Sequence, residues 1–261
     1  MKLTIITAVL NQKNNIKKTV KSVLRQNFTE FEYFIIDGFS NDGTYEYLVS
    51  LNDERINLFQ LAPSGLYSAL NYGIKKSSGE FIMILNAGDI YLSDDVFSSY
   101  FKSGSGYNEI LYSKLQYLDY ELKAFSETKE VHLKSNFMME GCDVPHPTTF
   151  ISTKLYEKYE YYDESLVSMA DYDLLLKLHS NGHKFKFVDL VSIAFFPAGI
   201  SSNQYIILKE SCKVRMRYLS FFKSFFYSFR SIFFILMGNI IIKIFGKKRF
   251  SQIQKFKRTL F

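Results

Sequence analysis

The chain has little glycine, proline and cysteine, and these shortages exclude several classes of protein. Of 261 residues, 13 are glycine and four are proline, which is too few for a collagen-like or low-complexity chain. The two cysteines, Cys142 and Cys212, fit neither a disulfide framework nor a metal-binding spacing, so a reducing compartment is expected. Because 47% of the residues are hydrophobic, the chain is long enough to build one large α/β domain with a core.

Two common nucleotide-binding motifs are also missing. No Gly-x-Gly-x-x-Gly follows the first apolar run, where Val9-Leu-Asn-Gln12 stands, and no Gly-Lys-Ser/Thr loop occurs. The hypotheses of a dinucleotide enzyme and of a P-loop enzyme therefore lose most of their support. A sugar-phosphate nucleotidyltransferase needs a glycine-rich basic loop near the first strand, and it is disfavoured for the same reason.

Long apolar runs are absent from both ends of the chain. The run at residues 3–9 is too short for a signal peptide core with a cleavage site, and polar residues follow at once. We therefore expect a cytosolic protein. The longest uncharged run near the C-terminus, residues 231–242, has 12 residues, whereas a bilayer span needs about 20. A transmembrane helix is not expected there.

What the sequence does contain is a regular alternation of strand and helix patterns. Strands are predicted at residues 3–9, 33–36, 56–61 and 81–85, and helices at residues 14–26, 44–51 and 66–76. This order predicts a mostly parallel sheet with right-handed crossovers. Beyond about residue 94 we expect a hairpin or meander at residues 110–124, helices at 154–159 and 172–180, and strands at 185–188 and 193–196.

Acidic residues follow two of the predicted strands. Asp89 lies in a polar turn after the apolar run at residues 81–85, and Asp37 follows the strand at residues 33–36. Ligands of open α/β sheets bind outside the carboxyl ends of the strands, and a carboxylate there can hold a divalent cation that clamps a diphosphate. Asp37 would accept a hydrogen bond from a base or a ribose. The alternative, that Asp37-Gly38 is an ordinary turn, stays open.

Several ordered motifs run through residues 3–205. They are Thr7-Ala-Val-Leu-Asn11, Ser22-Val-Leu-Arg-Gln26, Ile35-Ile-Asp-Gly-Phe-Ser-Asn-Asp-Gly-Thr44, Gly65-Leu-Tyr-Ser-Ala-Leu-Asn-Tyr-Gly-Ile74, Ser78-Gly-Glu-Phe-Ile-Met-Ile-Leu-Asn-Ala-Gly-Asp89, His146-Pro-Thr-Thr-Phe150 and Met169-Ala-Asp-Tyr-Asp-Leu-Leu-Leu176. Together they resemble family 2 glycosyltransferases, in particular a bacterial subgroup that builds capsule, colanic-acid-like and O-antigen (lipopolysaccharide) chains. The resemblance implies the GT-A fold, an α/β architecture with a Rossmann-like, mostly parallel central sheet flanked by helices.

The resemblance implies that the nucleotide-sugar donor binds to residues 1–92. By analogy, Asp37 would bond the base, usually uracil, while Thr7 and Asn11 would line the base and ribose pocket. Asn86 would contact the nucleotide, and Asp89 would hold Mn²⁺ or Mg²⁺ on the diphosphate of a UDP-sugar.

The sequence departs from the family pattern at two positions in this half. Asn86 stands where many relatives have an acid, so the cation would depend heavily on Asp89. Ser68 stands where the subgroup often has aspartate. These departures leave the donor sugar open.

The resemblance places the acceptor in residues 93–204. Asp171 matches the general base, and His146 and Asp173 would contact the acceptor or the diphosphate. The family transfers its sugar in a single inverting displacement, which requires one base and a stabilised leaving group. Alternatively, both acids serve only the start of their helix, where negative charge is favourable, and His146 has a structural role. Because Asp171 and Asp173 are two positions apart on one helix, they are not expected to face the same way.

Residues 205–261 form a strongly basic tail. They contain 13 lysines and arginines and a single acid, whereas residues 1–204 contain 19 basic and 25 acidic residues. Phenylalanines recur at helical spacing at positions 221, 222, 225, 226 and 229. This pattern favours a cationic amphipathic helix on an anionic membrane, contacting it through residues 218–261. The alternative is a helix that packs on the catalytic domain. The acidic body argues against nucleic acid as the partner.

The sequence therefore predicts a metal-dependent inverting glycosyltransferase with a catalytic domain at residues 1–204 and a membrane-associating tail at residues 205–261. Its acceptor would be a lipid-linked saccharide of surface polysaccharide biosynthesis. The expected location is peripheral, on the cytoplasmic face of a bacterial inner membrane. A non-catalytic membrane-bound scaffold or sugar-nucleotide binder of the same fold is the alternative.

Overall fold

The computed structural model describes residues 2–104, 109–118, 124–127, 144–195, 204–230, 233 and 237. Its strands are β1 (Leu3–Val9), β2 (Phe31–Asp37), β3 (Ile56–Gln60), β4 (Phe81–Ile84), β5 (Ile90–Tyr91), β6 (Glu109–Leu118), β7 (Ala124–Glu127), β8 (Ile151–Ser152) and β9 (Lys184–Phe195). Its helices are α1 (Lys13–Leu24), α2 (Thr44–Val49), α3 (Leu66–Lys76), α4 (Val96–Lys102), α5 (Thr153–Lys158), α6 (Ala170–Ser180), α7 (Gln204–Tyr218) and α8 (221–230). A short 3₁₀ turn, His146–Thr148, precedes β8.

The central sheet has five strands in the order β3-β2-β1-β4-β8. The first four are parallel, and β8 runs antiparallel to β4. All seven elements predicted between residues 3 and 85 are confirmed, with ends shifted by at most two residues. The predicted α/β class with a mostly parallel central sheet is therefore confirmed.

Hydrophobic cores cover both faces of this sheet. Ile5 of β1 lies in the core formed with α1, α2 and α4. Its neighbour Ile6 points the other way, into the core formed with α3, α5 and α6. Successive strand residues point to opposite faces, so a strand buried on both faces has to be apolar at nearly every position. This requirement explains why residues 81–85 are all apolar and why residues 3–9 are apolar except for Thr4 and Thr7.

A second sheet, in the order β5-β9-β6-β7, packs beside the first. The predicted hairpin is confirmed by the antiparallel pairing of β6 with β7, and its turn lies outside the described residues. The two predicted strands at residues 185–188 and 193–196 are wrong, because β9 is one strand. Its pairing with β6 shifts register where Tyr112 gives way to Lys114, and Asp189 there bonds Lys114 at 2.6 Å. The irregular pairing thus accommodates Asp189, a polar residue that in the sequence pattern indicates the end of a strand.

Among the described residues near the C-terminus, residues 204–230 form two consecutive helices. α7 packs against α6, while α8 exposes a row of phenylalanines. The domain boundary predicted at residue 204 stays a prediction. The helix α7, which begins there, contacts the catalytic domain predicted at residues 1–204. In the part of the chain that the structure describes, no helix has the length and apolar character needed to cross a bilayer.

Candidate active site

The carboxyl ends of β1, β2 and β4 meet at one edge of the central sheet. In the parallel registers Val9 lies opposite Asp37, and Ile6 lies opposite Ile84. The turns that follow these three strands therefore lie side by side, as at the ligand-binding edge of other open α/β sheets. They bring together four of the predicted site residues, which are Asn11, Asp37, Asn86 and Asp89.

Asp37 is fully buried at the end of β2. Its Oδ2 accepts hydrogen bonds from the Ser40 amide at 3.0 Å and from Gln60 Nε2 at 3.1 Å. Its Oδ1 is buried and has no hydrogen-bond partner among the described residues. Leaving a buried acceptor unpaired costs about 1–3 kcal/mol, so this oxygen is suited to accept an N–H from a ligand.

Asn11 and Thr7 have different positions at the end of β1. Asn11 is exposed in a left-handed conformation with a φ of 51°, and its Oδ1 accepts the Asn41 amide at 2.8 Å. It thereby holds the turn after Asp37 in place. Thr7 is fully buried, and its hydroxyl donates to the Leu85 carbonyl at 2.6 Å. The nucleotide contact predicted at Thr7 stays a prediction, and in the structure this hydroxyl joins β1 to the end of β4 inside the core.

The turn after β4 is fastened to α1. Thr19 Oγ1 accepts the Gly88 amide at 2.8 Å and donates to the Asp89 carbonyl at 2.9 Å. Gly88 has a φ of +108°, which favours glycine over any residue with a side chain. The turn closes with the Asp89 amide donating to the Asn86 carbonyl at 3.0 Å. Asp89 is thus set rigidly at the edge of the sheet.

Asp89 is 3% exposed, and its Oδ2 has no hydrogen-bond partner among the described residues. Burial raises the pKa of its carboxyl to about 8, although hydrogen bonds from the side chain and backbone of Asn86 act in the opposite direction. A bound cation would remove the cost of ionising this group. The donor set fits a hard divalent ion that takes its remaining ligands from a diphosphate and water. Within the described ranges no three His, Cys, Asp or Glu side chains come together as a metal cluster.

Asp171 lies in the first turn of α6 with its side chain 29% exposed. Its Oδ1 accepts the Tyr67 hydroxyl at 3.2 Å and the Tyr172 amide at 2.8 Å. Tyr67 comes from α3, which packs on the opposite face of the central sheet from α1. A partly exposed carboxylate oriented by a phenol can accept a proton from a ligand that reaches it.

His146 lies next to this carboxylate but is bonded elsewhere. It is 8% exposed, and its Nε2 is 2.7 Å from the Tyr162 hydroxyl, which is itself 3.0 Å from the Tyr156 hydroxyl. Its Nδ1 is 3.9 Å from Asp171 Oδ2. Burial lowers the pKa of His146, and the charge of Asp171 only partly opposes this. The ring is therefore neutral at pH 7, and the two groups do not form an ion pair there.

Asp173 does not lie with Asp171. It is 2% exposed, and its Oδ2 is 2.8 Å from Arg217 Nη1 of α7. Tyr218 also donates its hydroxyl to Asp173 Oδ1 at 3.1 Å. The contact predicted between Asp173 and the acceptor or diphosphate stays a prediction, and in the structure its carboxylate forms an ion pair with Arg217 inside the protein. As expected from their spacing, the two acids face different partners.

Sequence reasoning missed three polar residues around Asp171 and the segment that leads into it. Tyr67 lies in the quoted motif at residues 65–74, but nothing in the motif links it to Asp171. Tyr162 carries no signal in the sequence. Glu210, which bonds the backbone just before α6, is the single acid of residues 205–261. The isolation of this acid in a basic segment is the feature of the sequence that could have indicated a role for Glu210.

Comparison with known proteins shows that this chain is similar to glycosyltransferases. Residues 4–100 match the model of glycosyl transferase family 2. An uncharacterized glycosyltransferase of Methanocaldococcus jannaschii is 24% identical over 93% of this chain and 91% of its own length. One from Rickettsia bellii is 26% identical over 67% of this chain, which spans only 27% of that protein. The Campylobacter jejuni GalNAc(5)-diNAcBac-PP-undecaprenol beta-1,3-glucosyltransferase is 30% identical over 42% of this chain and 37% of its length.

Solved structures agree on the fold. S. aureus TarS 1-349 in complex with UDP-GlcNAc superposes with a TM-score of 0.69 at 21% identity, over 82% of this chain and 64% of that one. The mannosyltransferase PcManGT from Pyrobaculum calidifontis in complex with GDP-Man and Mn²⁺ gives a TM-score of 0.59 at 13% identity, over 84% and 65%. Residues 4–100 of this chain therefore match glycosyl transferase family 2, and the fold is that of the GT-A glycosyltransferases.

Proposed function

We propose that this protein is an inverting glycosyltransferase that moves a sugar from a UDP-sugar to a hydroxyl group of a lipid-linked saccharide. The observation that carries the proposal is a pair of buried carboxylates, Asp37 and Asp89, at one edge of the sheet. Each has one oxygen without a hydrogen-bond partner among the described residues. Both lie in the segment that matches family 2.

In this proposal the two carboxylates bind opposite ends of the donor. Asp37 Oδ1 accepts an N–H of the uracil base, which satisfies the buried acceptor. Asp89, with Asn86 beside it, holds Mn²⁺ or Mg²⁺, which would offset the charge that gathers on the departing diphosphate. The likeness in fold to TarS, solved with UDP-GlcNAc, and to PcManGT, solved with GDP-Man and Mn²⁺, supports a nucleotide-sugar donor and a divalent metal.

Asp171 is the proposed general base. The acceptor oxygen attacks the anomeric carbon of the sugar while the bond from that carbon to the diphosphate oxygen breaks. The hydroxyl proton passes to Asp171, and the electron pair of the broken bond leaves with UDP. Tyr67 orients the carboxylate through its hydrogen bond to Oδ1. Neutral His146 lines the same region and, in this proposal, contacts the acceptor or the diphosphate.

The proposed acceptor and location rest on α8 and on one relative. Phe221, Phe222 and Phe225 are 62–82% exposed, while Ser224 is 1% exposed. This helix presents its apolar side outward, and residues 205–261 are strongly basic, which suits an anionic lipid surface. The C. jejuni relative carries undecaprenol in its name. We therefore place the protein on the cytoplasmic face of a bacterial inner membrane, in surface polysaccharide biosynthesis.

The first experiment is calorimetric titration with UDP, GDP and dTDP, with and without Mn²⁺. We expect Mn²⁺-dependent binding of UDP by the wild type and no Mn²⁺ effect in Asp89→Ala. Asp95→Asn is the matched control, because Asp95 is an exposed acid in a nearby turn. Binding of none of the three nucleotides would reject the donor site and favour a scaffold. Binding without hydrolysis of any UDP-sugar would leave a sugar-nucleotide binder.

A further inference from the structure

The segment that leads into Asp171 is held by α7 through its backbone. Glu210 of α7 is 8% exposed, and its carboxylate accepts three consecutive amides. These are Val167 at 2.7 Å, Ser168 at 2.8 Å and Met169 at 3.1 Å. Hydrogen bonds to a buried carboxylate are roughly twice as strong as neutral ones. Because α6 begins at the next residue and Met169 supplies no side-chain cap, Glu210 sets where the helix starts.

Arg217, two helical turns further along α7, holds the same segment at both ends. Its Nη2 is 2.6 Å from Asp163 Oδ2, and its Nη1 is 2.8 Å from Asp173 Oδ2. Asp171 lies between these two acids in sequence. Lys213, between the two anchor residues of α7, adds a weaker bond to Ser165 Oγ at 3.3 Å. Residues of α7 thus contact this segment near its start, in its middle and near its end, at Asp163, at residues 165–169 and at Asp173.

The opposite side of the segment is held by α3. Asn71 accepts the Tyr162 amide at 3.0 Å and donates to the Tyr162 carbonyl at 2.9 Å. One turn earlier in the same helix, Tyr67 bonds Asp171 itself. Asp171 is therefore positioned by α3, which contacts its side chain, and by α7, which contacts the backbone of the three residues 167–169 just before α6.

We propose that α7 is a positioning element of the active site and that Glu210 is the positioning residue that sets the place of Asp171. This inference rests on the proposed function, because it takes Asp171 as the base. Misplacing a reacting group by about 1 Å can cost about 100-fold in rate. The basic C-terminal region would then contribute to the chemical step as well as to membrane contact.

The test compares Glu210→Gln with Lys209→Gln, its exposed neighbour on the same helix. Glutamine keeps the shape of the side chain but loses the charge and one acceptor oxygen. The readout is hydrolysis of whichever of UDP-glucose, UDP-galactose, UDP-GlcNAc or UDP-GalNAc the wild type cleaves. We expect kcat of Glu210→Gln to fall by about 10- to 100-fold, with KM for the donor and the Kd of UDP within twofold of wild type. Lys209→Gln should match wild type in all three.

Amide hydrogen exchange separates positioning from general loss of fold. In Glu210→Gln the amides of residues 167–172 should exchange faster, while those of β1 and β4 should not change. A folded Glu210→Gln with wild-type kcat, or with unchanged exchange at residues 167–172, would overturn the inference. A fall in UDP affinity that parallels the fall in kcat would also overturn it, because it would indicate a global effect.

The same data distinguish this inference from the proposed function. If the wild type binds UDP but cleaves none of the four UDP-sugars, the transferase proposal fails, and the role of α7 in catalysis fails with it. If the wild type is active and Glu210→Gln is equally active, only the role of α7 fails.

Discussion

At the scale of single residues, two buried carboxylates each keep one oxygen without a partner among the described residues. Asp37 and Asp89 are at most 3% exposed, and a buried unpaired acceptor opposes folding by about 1–3 kcal/mol. A protein retains such groups where a ligand completes their hydrogen bonds or their charge. The two side chains thus mark the candidate donor site more sharply than any sequence motif does.

Asp37→Asn should weaken UDP binding. The replacement leaves one acceptor oxygen, which Ser40 and Gln60 already use in the wild type. The base then meets an amide N–H, and we expect a Kd about 10- to 100-fold higher. Calorimetry with UDP in the presence of Mn²⁺ measures this, with Asp95→Asn as the control. An unchanged Kd would show that Asp37 does not bind the base.

Asp171→Asn should abolish turnover and leave donor binding intact. An amide cannot take the proton of the acceptor, so kcat for hydrolysis or transfer should fall by about 100- to 10,000-fold. The Kd of UDP should stay within twofold, since the proposal assigns Asp171 to the acceptor and not to the donor. Asp189→Asn, at an exposed ion pair with Lys114, is the control for a general charge effect. Retained turnover would reject Asp171 as the base and would indicate that another group accepts the proton.

At the scale of elements, the central sheet and its helices follow from local pattern. Apolar runs specify strands buried on both faces, and the four helical patterns in residues 13–76 and 170–180 fold as expected. The single strand β9 does not follow from local pattern. Its polar middle, around Asp189, is compatible with a strand only because β6 accommodates it with a register shift.

Because of the contact between α7 and the segment before α6, the free energy of unfolding should depend on pH in the acidic range. Burial alone would raise the pKa of Asp163, but hydrogen bonds from Ser165 and Arg217 outweigh it and lower the pKa to about 2. A lowered folded-state pKa stabilises the protein above the unfolded value of about 4, and this contribution is lost as the pH falls from about 4 to about 2. Because solvent screens this partly exposed pair, we expect about 1 kcal/mol.

Urea unfolding of wild type and Asp163→Asn at several pH values measures this contribution. At pH 6 the variant should be less stable by about 1 kcal/mol, and the difference should shrink towards zero near pH 2. Asp95→Asn should show no such convergence. A difference that stays constant from pH 6 to pH 2 would show that the Asp163 carboxylate is not stabilised by its partners.

At the scale of the whole molecule, α8 buries small polar residues and exposes aromatic ones, which is the reverse of a surface helix in a soluble protein. Ser224 and Ser228 are buried, whereas Phe225 and Phe229 are at least 60% exposed. The rings of Phe221, Phe225 and Phe229 form a stacked row along the helix. Exposed aromatic patches of this kind mark interaction surfaces.

Replacing Phe221, Phe225 and Phe229 by serine should release the protein from anionic vesicles. If each ring contributes about 1 kcal/mol on entering the headgroup region, affinity for phosphatidylglycerol vesicles should fall by about 100-fold. Cosedimentation measures this, and UDP binding should not change. Val49→Ser removes an exposed apolar residue from α2 and should bind vesicles like the wild type. Equal binding by the triple variant would reject α8 as a membrane contact.

The sequence by itself determined the order of strands and helices, the double-sided sheet and the acids at the strand ends. These follow from hydrophobic periodicity and turn chemistry, which act over a few residues. Only the tertiary structure decided which polar atoms already have a hydrogen-bond or ion-pair partner within the protein. Thr7 and Asp173 are predicted as site residues from their motifs. In the structure their side chains bond Leu85 and Arg217, which lie 78 and 44 positions away. Glu210 looks like a stray acid in a basic tail until folding brings it to the backbone before Asp171. Such contacts carry no local period, because they depend on where distant elements meet.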